Sequence, residues 1–188
     1  MELESPTSGP VGEGEVSLRR ANAADAVCLS ALATQVFLET YATSGIRPSL
    51  AREAESQFSA SAFIQRLAKR EGRTILAERN GHLIAFAELV LGATHILLRS
   101  ESAAELTRLY VQSPFVRQGV GRQLLKRTEA LAAAEGVSTL WLTAWVGNKR
   151  ALAFYASQAY EQLGRTEYAF EGEVFENRLF AKALRAAT

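Results

Sequence analysis

Residues 117–122, Arg-Gln-Gly-Val-Gly-Arg, place two glycines one residue apart between two arginines, directly before a segment of helical periodicity. A helix N-terminus carries backbone N–H groups without partners and a partial positive charge, and glycine lets an anion approach them closely. Arg117 and Arg122 add charge-assisted donors suited to phosphate oxygens, so a pyrophosphate is the ligand these residues suggest. The same stretch also reads as a tight connection in which Gly119 and Gly121 supply only dihedral freedom. Spacing excludes two other phosphate motifs. No Gly-Lys-Ser/Thr follows at P-loop distance, and Leu124 stands where a dinucleotide fingerprint needs its third small residue.

A second pair stands further on. Asn148 precedes a predicted helix and Tyr155 lies seven residues later, almost two turns, so both project from one face and can line one groove. Taken singly, Asn148 is most simply a helix cap and Tyr155 a core ring. In 105–111, strand alternation puts residues 105, 107, 109 and 111 on one side, so Glu105 is expected beside Leu109 and Val111.

The elements that must position these groups follow from periodicity. Residues 16–21 read as a strand and 22–41 as a helix with Val27, Leu29, Leu32, Val36 and Phe37 at helical spacing. A Gly and a Pro interrupt the pattern in 42–58, and a helix resumes over 59–72. Residues 73–92 form a hairpin on Asn80-Gly81, the dipeptide best suited to a two-residue turn. Next come a strand at 102–112, the glycine turn, and a helix with Val120, Leu124, Leu125, Leu131 and Ala132 on one face. A strand at 138–146, a helix at 148–159 and strands at 165–170 and 176–184 complete the order.

The chain has 188 residues, 48% of them hydrophobic, enough for one sizeable core. Residues 1–14, rich in Gly, Pro, Ser and Glu, read as a flexible leader before one domain over 15–188. Twenty-one basic residues against 20 acidic ones leave no footprint for nucleic acid or an anionic membrane. Cys28 cannot form an internal disulfide, and His82 and His95 fall short of a metal cluster, so no metal is expected. The composition fits a reducing cytoplasm. His82 is expected at the surface, and His95 has no evident partner.

The stretches "ELTRLYVQSPFVRQGVGRQLL" and "LWLTAWVGNKRALAFY" resemble the core of the GNAT superfamily of N-acetyltransferases, most specifically from Glu105 to Tyr155. The resemblance implies an α/β fold: a mixed, mostly antiparallel sheet flanked by helices, with a splayed parallel strand pair that admits acetyl-CoA. It implies that Arg117, Gln118, Gly119, Val120, Gly121 and Arg122 hold the coenzyme A pyrophosphate. The main chain of Leu109, Tyr110 and Val111 would then meet the pantetheine and thioester, with Asn148 and Tyr155 beside them. Val116 departs from the Gln or Arg usual three residues before the first motif glycine, so a weakened contact is expected there. Tyr155, with an ordinary pKa of about 10, suits a general acid for the departing thiolate. Glu105 is the leading base and Glu88 the second, though either can instead attract a cationic amine or solvate a strand end.

"FLETY", the interrupted helices, "LWLTAW" and "ENRLFAKAL" look like the bacterial polyamine N-acetyltransferase branch. That likeness implies direct acetyl transfer to a small polyamine-like amine, with Glu39, Tyr41 and the 42–57 segment in the substrate wall and Trp145 near it. Acetylation of a protein N-terminus or lysine, and a non-catalytic acyl-CoA-binding module, are the alternatives. A homodimer is compatible with the family.

Overall fold

A computed structural model describes residues 14–100, 102–170 and 173–184. The leader expected at 1–14 lies outside the described residues except for Gly14, which sits against the Asn80 side chain. Seven strands run along the chain: β1 (Val16–Arg20), β2 (Gly72–Arg79), β3 (His82–Leu91), β4 (Ala103–Val111), β5 (Thr139–Trp145), β6 (Glu161–Phe170) and β7 (Glu173–Ala183). They form one sheet in the spatial order β1-β2-β3-β4-β5-β7-β6. Every neighbouring pair is antiparallel except β4 and β5, which run parallel.

That parallel pairing is short. Ala103–Glu105 pair with Thr139–Trp141, and there the ladder ends although both strands continue. From Leu106 onward the β4 edge facing β5 carries backbone groups with no strand partner, as expected of a splayed pair.

Helices cover both faces. α1 (Ala26–Tyr41), α2 (Pro48–Phe58) and α3 (Ala60–Leu67) bury Leu29, Leu32, Phe58 and Phe63 against Leu76 and Phe86 of the sheet. On the opposite face, α4 (Val120–Ala134) and α5 (Lys149–Ser157) bury Val120, Leu124, Leu125 and Tyr155 against Ile84, Leu106 and Leu142. The apolar stripe of α4 matches its expected face, with the buried Thr128 hydroxyl donating to the Leu124 carbonyl.

Three local expectations are corrected. The interrupted stretch contains a helix, because Pro48 occupies its first turn, where the missing N–H costs nothing. The next helix ends at Leu67, and Gly72 opens β2. Val27, expected on the buried stripe, is 70% exposed. The hairpin stands as expected: Asn80 and Gly81 both have positive φ, 52° and 77°, the geometry that matches the twist of the flanking strands.

One irregularity directs the remaining architecture. Glu88 of β3 pairs with Arg108 and Leu89 pairs with Leu106, so Thr107 is an extra residue in β4. Its hydroxyl donates to the Glu88 carbonyl at 3.2 Å. A bulge of this kind reverses which side the following residues face. Ala104, Leu106, Leu109 and Val111 therefore pack toward α4, whereas Tyr110 packs with the α1 side.

Leu124 is fully buried in this frame. Leu124→Ala is expected to cost about 2–5 kcal/mol, seen as a lower urea midpoint at unchanged slope.

Candidate active site

Where β4 and β5 part, a cleft of about 280 Å³ opens between β4, α1, the glycine turn and α5. Leu109, Tyr110 and Val111 form its floor. Arg117, Arg122 and Arg150 line it, and among its described lining residues there is no acid. Such a lining attracts a polyanion. Arg150, on the first turn of α5, was not singled out by motif reasoning because it lies outside the glycine turn.

The turn itself holds two left-handed residues, Arg117 (φ 61°) and Gly119 (φ 79°). Gly119 caps α4, and the first helical bond runs from the Gln123 N–H to the Gly119 carbonyl at 3.0 Å. The amides of Val120, Gly121 and Arg122 thus precede the ladder as orphan donors. The side chains of Gln118 and Val120 point away from the cleft. Gln118 donates to the Pro114 carbonyl and accepts from Arg79, bracing the turn from outside, while the Val120 side chain is fully buried beneath α4. Neither side chain lines the cleft; only their backbone is on offer to an anion. Val116 is on the wall.

Asn148 and Tyr155 meet in this cleft, as their spacing implied. Asn148 Oδ1 accepts from the Ala151 N–H at 3.0 Å, the capping reading, which also fixes the amide at the cleft wall. Tyr155 is buried against Phe154, Tyr160 and Phe180. Burial, together with the nearby phenols Tyr110 and Tyr41, pushes its hydroxyl well above the ordinary tyrosine value.

A second cavity of about 340 Å³ lies across β4 and shares Tyr41 and Tyr110 with the first. Glu105, Arg108 and Glu53 line it, with Trp145 and Tyr168 among its rings. Tyr41 stacks on Trp145 at 5.6 Å, and Tyr168 donates to Glu53 at 3.3 Å. The expectation that Glu105 shares a side with Leu109 and Val111 is overturned. The Thr107 bulge leaves Glu105 facing the same cavity as Arg108 and Tyr110. Burial raises the Glu105 pKa above the ordinary carboxylate value, and the Arg108 charge partly offsets that rise.

Two other acids sit elsewhere than expected. Glu88 is 5% exposed and bound on both sides, to Arg66 Nε at 3.1 Å and to Arg108 Nη1 at 2.8 Å. It lines neither cavity, and its carboxylate fixes two guanidiniums. Glu39 is exposed, accepting from Ser113 at 2.6 Å and Gln35 at 3.0 Å. It ties α1 to the segment after β4 and lines neither of the two cavities. His82 is exposed, whereas His95 has a partner after all: its ring packs on Trp141 at 5.5 Å. Sequence reasoning missed Arg108, Glu53 and Tyr168 because the bulge and the α2–β6 approach leave no local signal.

The Acetyltransferase (GNAT) family matches residues 38–160, and the chain belongs to it. Among curated relatives, an IAA acetyltransferase of Azospirillum brasilense is 35% identical over 103 residues, 54% of this chain and 62% of that protein. The ribosomal protein bS18-alanine N-acetyltransferase of Escherichia coli is 33% identical over 84 residues, 45% of this chain and 51% of that one. The matched stretch thus spans less than two thirds of either relative. The fold agrees with that of the PaiA N-acetyltransferase of Thermoplasma acidophilum, solved with coenzyme A. The TM-score is 0.72 at 18% identity, covering 90% of this chain and 99% of that one. No helix of the described residues is long and apolar enough to cross a membrane.

A Cβ at Gly119 would meet only Gln123 Nε2, at 3.9 Å, so the positive φ and the open turn decide the effect of substitution there. Gly119→Asp adds strain and a negative charge where an anion would sit, and is expected to weaken acetyl-CoA binding about tenfold or more in calorimetry.

Proposed function

We propose that this chain transfers the acetyl group of acetyl-CoA to a primary amine within one ternary complex. The observation that carries the reading is the parting of β4 and β5 after Glu105, beside a helix-capping glycine turn and three arginines without an opposing acid. When bound, acetyl-CoA supplies an acetyl thioester. The orphan amides at the start of α4, with Arg117 and Arg122, hold its pyrophosphate. The unpaired edge of Leu109–Val111 offers main-chain donors to the pantetheine and the thioester carbonyl.

Glu105 takes the proton of the amine as the nitrogen bonds to the acetyl carbon. Its desolvated, raised-pKa carboxylate is a stronger base than an exposed one. Tyr155 delivers its proton to the sulfur as the carbon–sulfur bond breaks, and burial keeps that phenol protonated until then. Glu88 is set aside as base, since its charge is already shared by Arg66 and Arg108.

A polyamine acceptor draws support from Glu53 and Glu105, but Arg108 in the same wall does not favour a purely cationic molecule. A protein N-terminus is the second reading, favoured by the likeness to the bS18-alanine N-acetyltransferase of E. coli. A non-catalytic acyl-CoA-binding module has the cleft in its favour but leaves Glu105 and Tyr155 without a task.

Tyr155→Phe is expected to lower kcat about a hundredfold or more in a thiol-release assay, with acetyl-CoA affinity little changed. Unchanged turnover removes Tyr155 from the acid role. For Glu105 the active form is the carboxylate, so kcat/KM falls as pH drops through its pKa, with an inflection above the ordinary carboxylate range. Glu105→Gln is expected to remove that acid limb and to lower kcat/KM about a hundredfold; a variant that keeps the limb assigns the base elsewhere.

A further inference from the structure

The second cavity has a charge arrangement that amine transfer alone does not require. Arg66 and Arg108 share the buried carboxylate of Glu88, and of these three only Arg108 lines the cavity, where it stands with Glu105 and Glu53. Arg108 keeps 18% of its side chain exposed and lines the cavity, whereas Glu88 does not. One nitrogen, Nη1, is fixed on Glu88 at 2.8 Å, and the guanidinium carbon lies 5.3 Å from the centre of the Phe58 ring. The group is therefore held in one orientation, and the cavity wall carries its positive charge beside the carboxylates of Glu105 and Glu53. Its charge acts on Glu105, Tyr41, Tyr110 and Tyr168 alike, so it stands central among the walls.

The walls are aromatic. Phe37, Tyr41, Phe58, Tyr110, Trp145 and Tyr168 contribute rings, and the last is bound to Glu53 across the gap between α2 and β6. Rings of this kind favour a flat apolar body. A polyamine could meet these rings and Glu53 and Glu105 through its ammonium groups, but it brings no anionic group for Arg108.

We propose that the acceptor is an amine that also carries a carboxylate and a planar apolar group, the class of the aromatic amino acids, with Arg108 as the carboxylate anchor. The planar fork of arginine matches a carboxylate, and Arg108 lines the cavity while its Nη1 is held on Glu88 and its side chain also bonds to Tyr110. The amine is then left for Glu105 on the same wall, three residues before Arg108. This inference rests on the acetyl-transfer reading above.

Acetyl-CoA binding is measured first by calorimetry on the full chain, and thiol release follows with tryptophan, phenylalanine, their decarboxylated counterparts tryptamine and phenethylamine, and spermidine. The expected result is a kcat/KM for the amino acids about tenfold or more above the decarboxylated amines, the size of a lost charged hydrogen bond. Arg108→Gln is expected to abolish that preference and Arg108→Lys to keep part of it, with thermal melts confirming that both variants fold. If acetyl-CoA does not bind, the acetyl-transfer reading itself fails. If it binds and spermidine or the decarboxylated amines are preferred, or no amino acid is acetylated, the acceptor inference is overturned while cosubstrate binding stands. The comparison of acceptors on the unsubstituted protein decides the matter even where a variant misfolds.

Discussion

Strand β4 serves two cavities at once, and the bulge at Thr107 is the constraint that permits it. An unbroken strand would send residues 105, 107, 109 and 111 to one side. Glu105 would then point toward α4 with Leu109 and Val111, into the apolar layer that buries Leu106 and Leu124. With one residue inserted, Glu105, Arg108 and Tyr110 face the second cavity, while Leu109 and Val111 floor the first. The Thr107 hydroxyl bond to the Glu88 carbonyl links the bulge to the same residue whose carboxylate binds Arg108.

The site also depends on side chains that line neither cavity. Glu88 orients Arg66 and Arg108, and removing one member of such a set leaves a buried charge uncompensated. Gln118 and Arg79 hold the outside of the glycine turn, with Arg79 over the Phe115 ring at 5.4 Å. Gln35 and Glu39 bind Gln112 and Ser113, which fixes α1 over the same segment. The side-chain bonds of Gln118 and Glu39 thus help keep the turn and the segment after β4 in place.

Tyr41 and Tyr110 connect the two cavities. Tyr110 packs edge-on to Phe86 at 5.5 Å and Phe58 at 6.2 Å, and Tyr41 contacts Phe37 at 5.0 Å and Trp145 at 5.6 Å. This chain of rings joins α1 and α2 to β3, β4 and β5 at the place where an acceptor amine would have to pass. Burial in this region raises the pKa of both Glu105 and Tyr155.

Local patterns were enough to read much of this from the chain. The Asn80-Gly81 turn, the α4 stripe, the glycine cap and the pairing of Asn148 with Tyr155 each depend on residues within two helical turns or one hairpin. Pro48 was read as an interruption, although a proline in the first turn suits the start of a helix, and α2 begins there. What lay beyond reach were contacts between residues distant in sequence. The bulge at Thr107 exists only against β3, 19 residues away at Glu88, so strand alternation put Glu105 on the wrong face. Glu88 and Glu39 read as free acids until Arg66, Arg108 and Ser113 were brought to them. Sequence alone determined most of the elements and the glycine turn that caps α4, because those are set by short-range backbone preference. Tertiary structure decided which charges are free and which cavity each faces, because burial and ion pairing depend on partners supplied by other strands and helices.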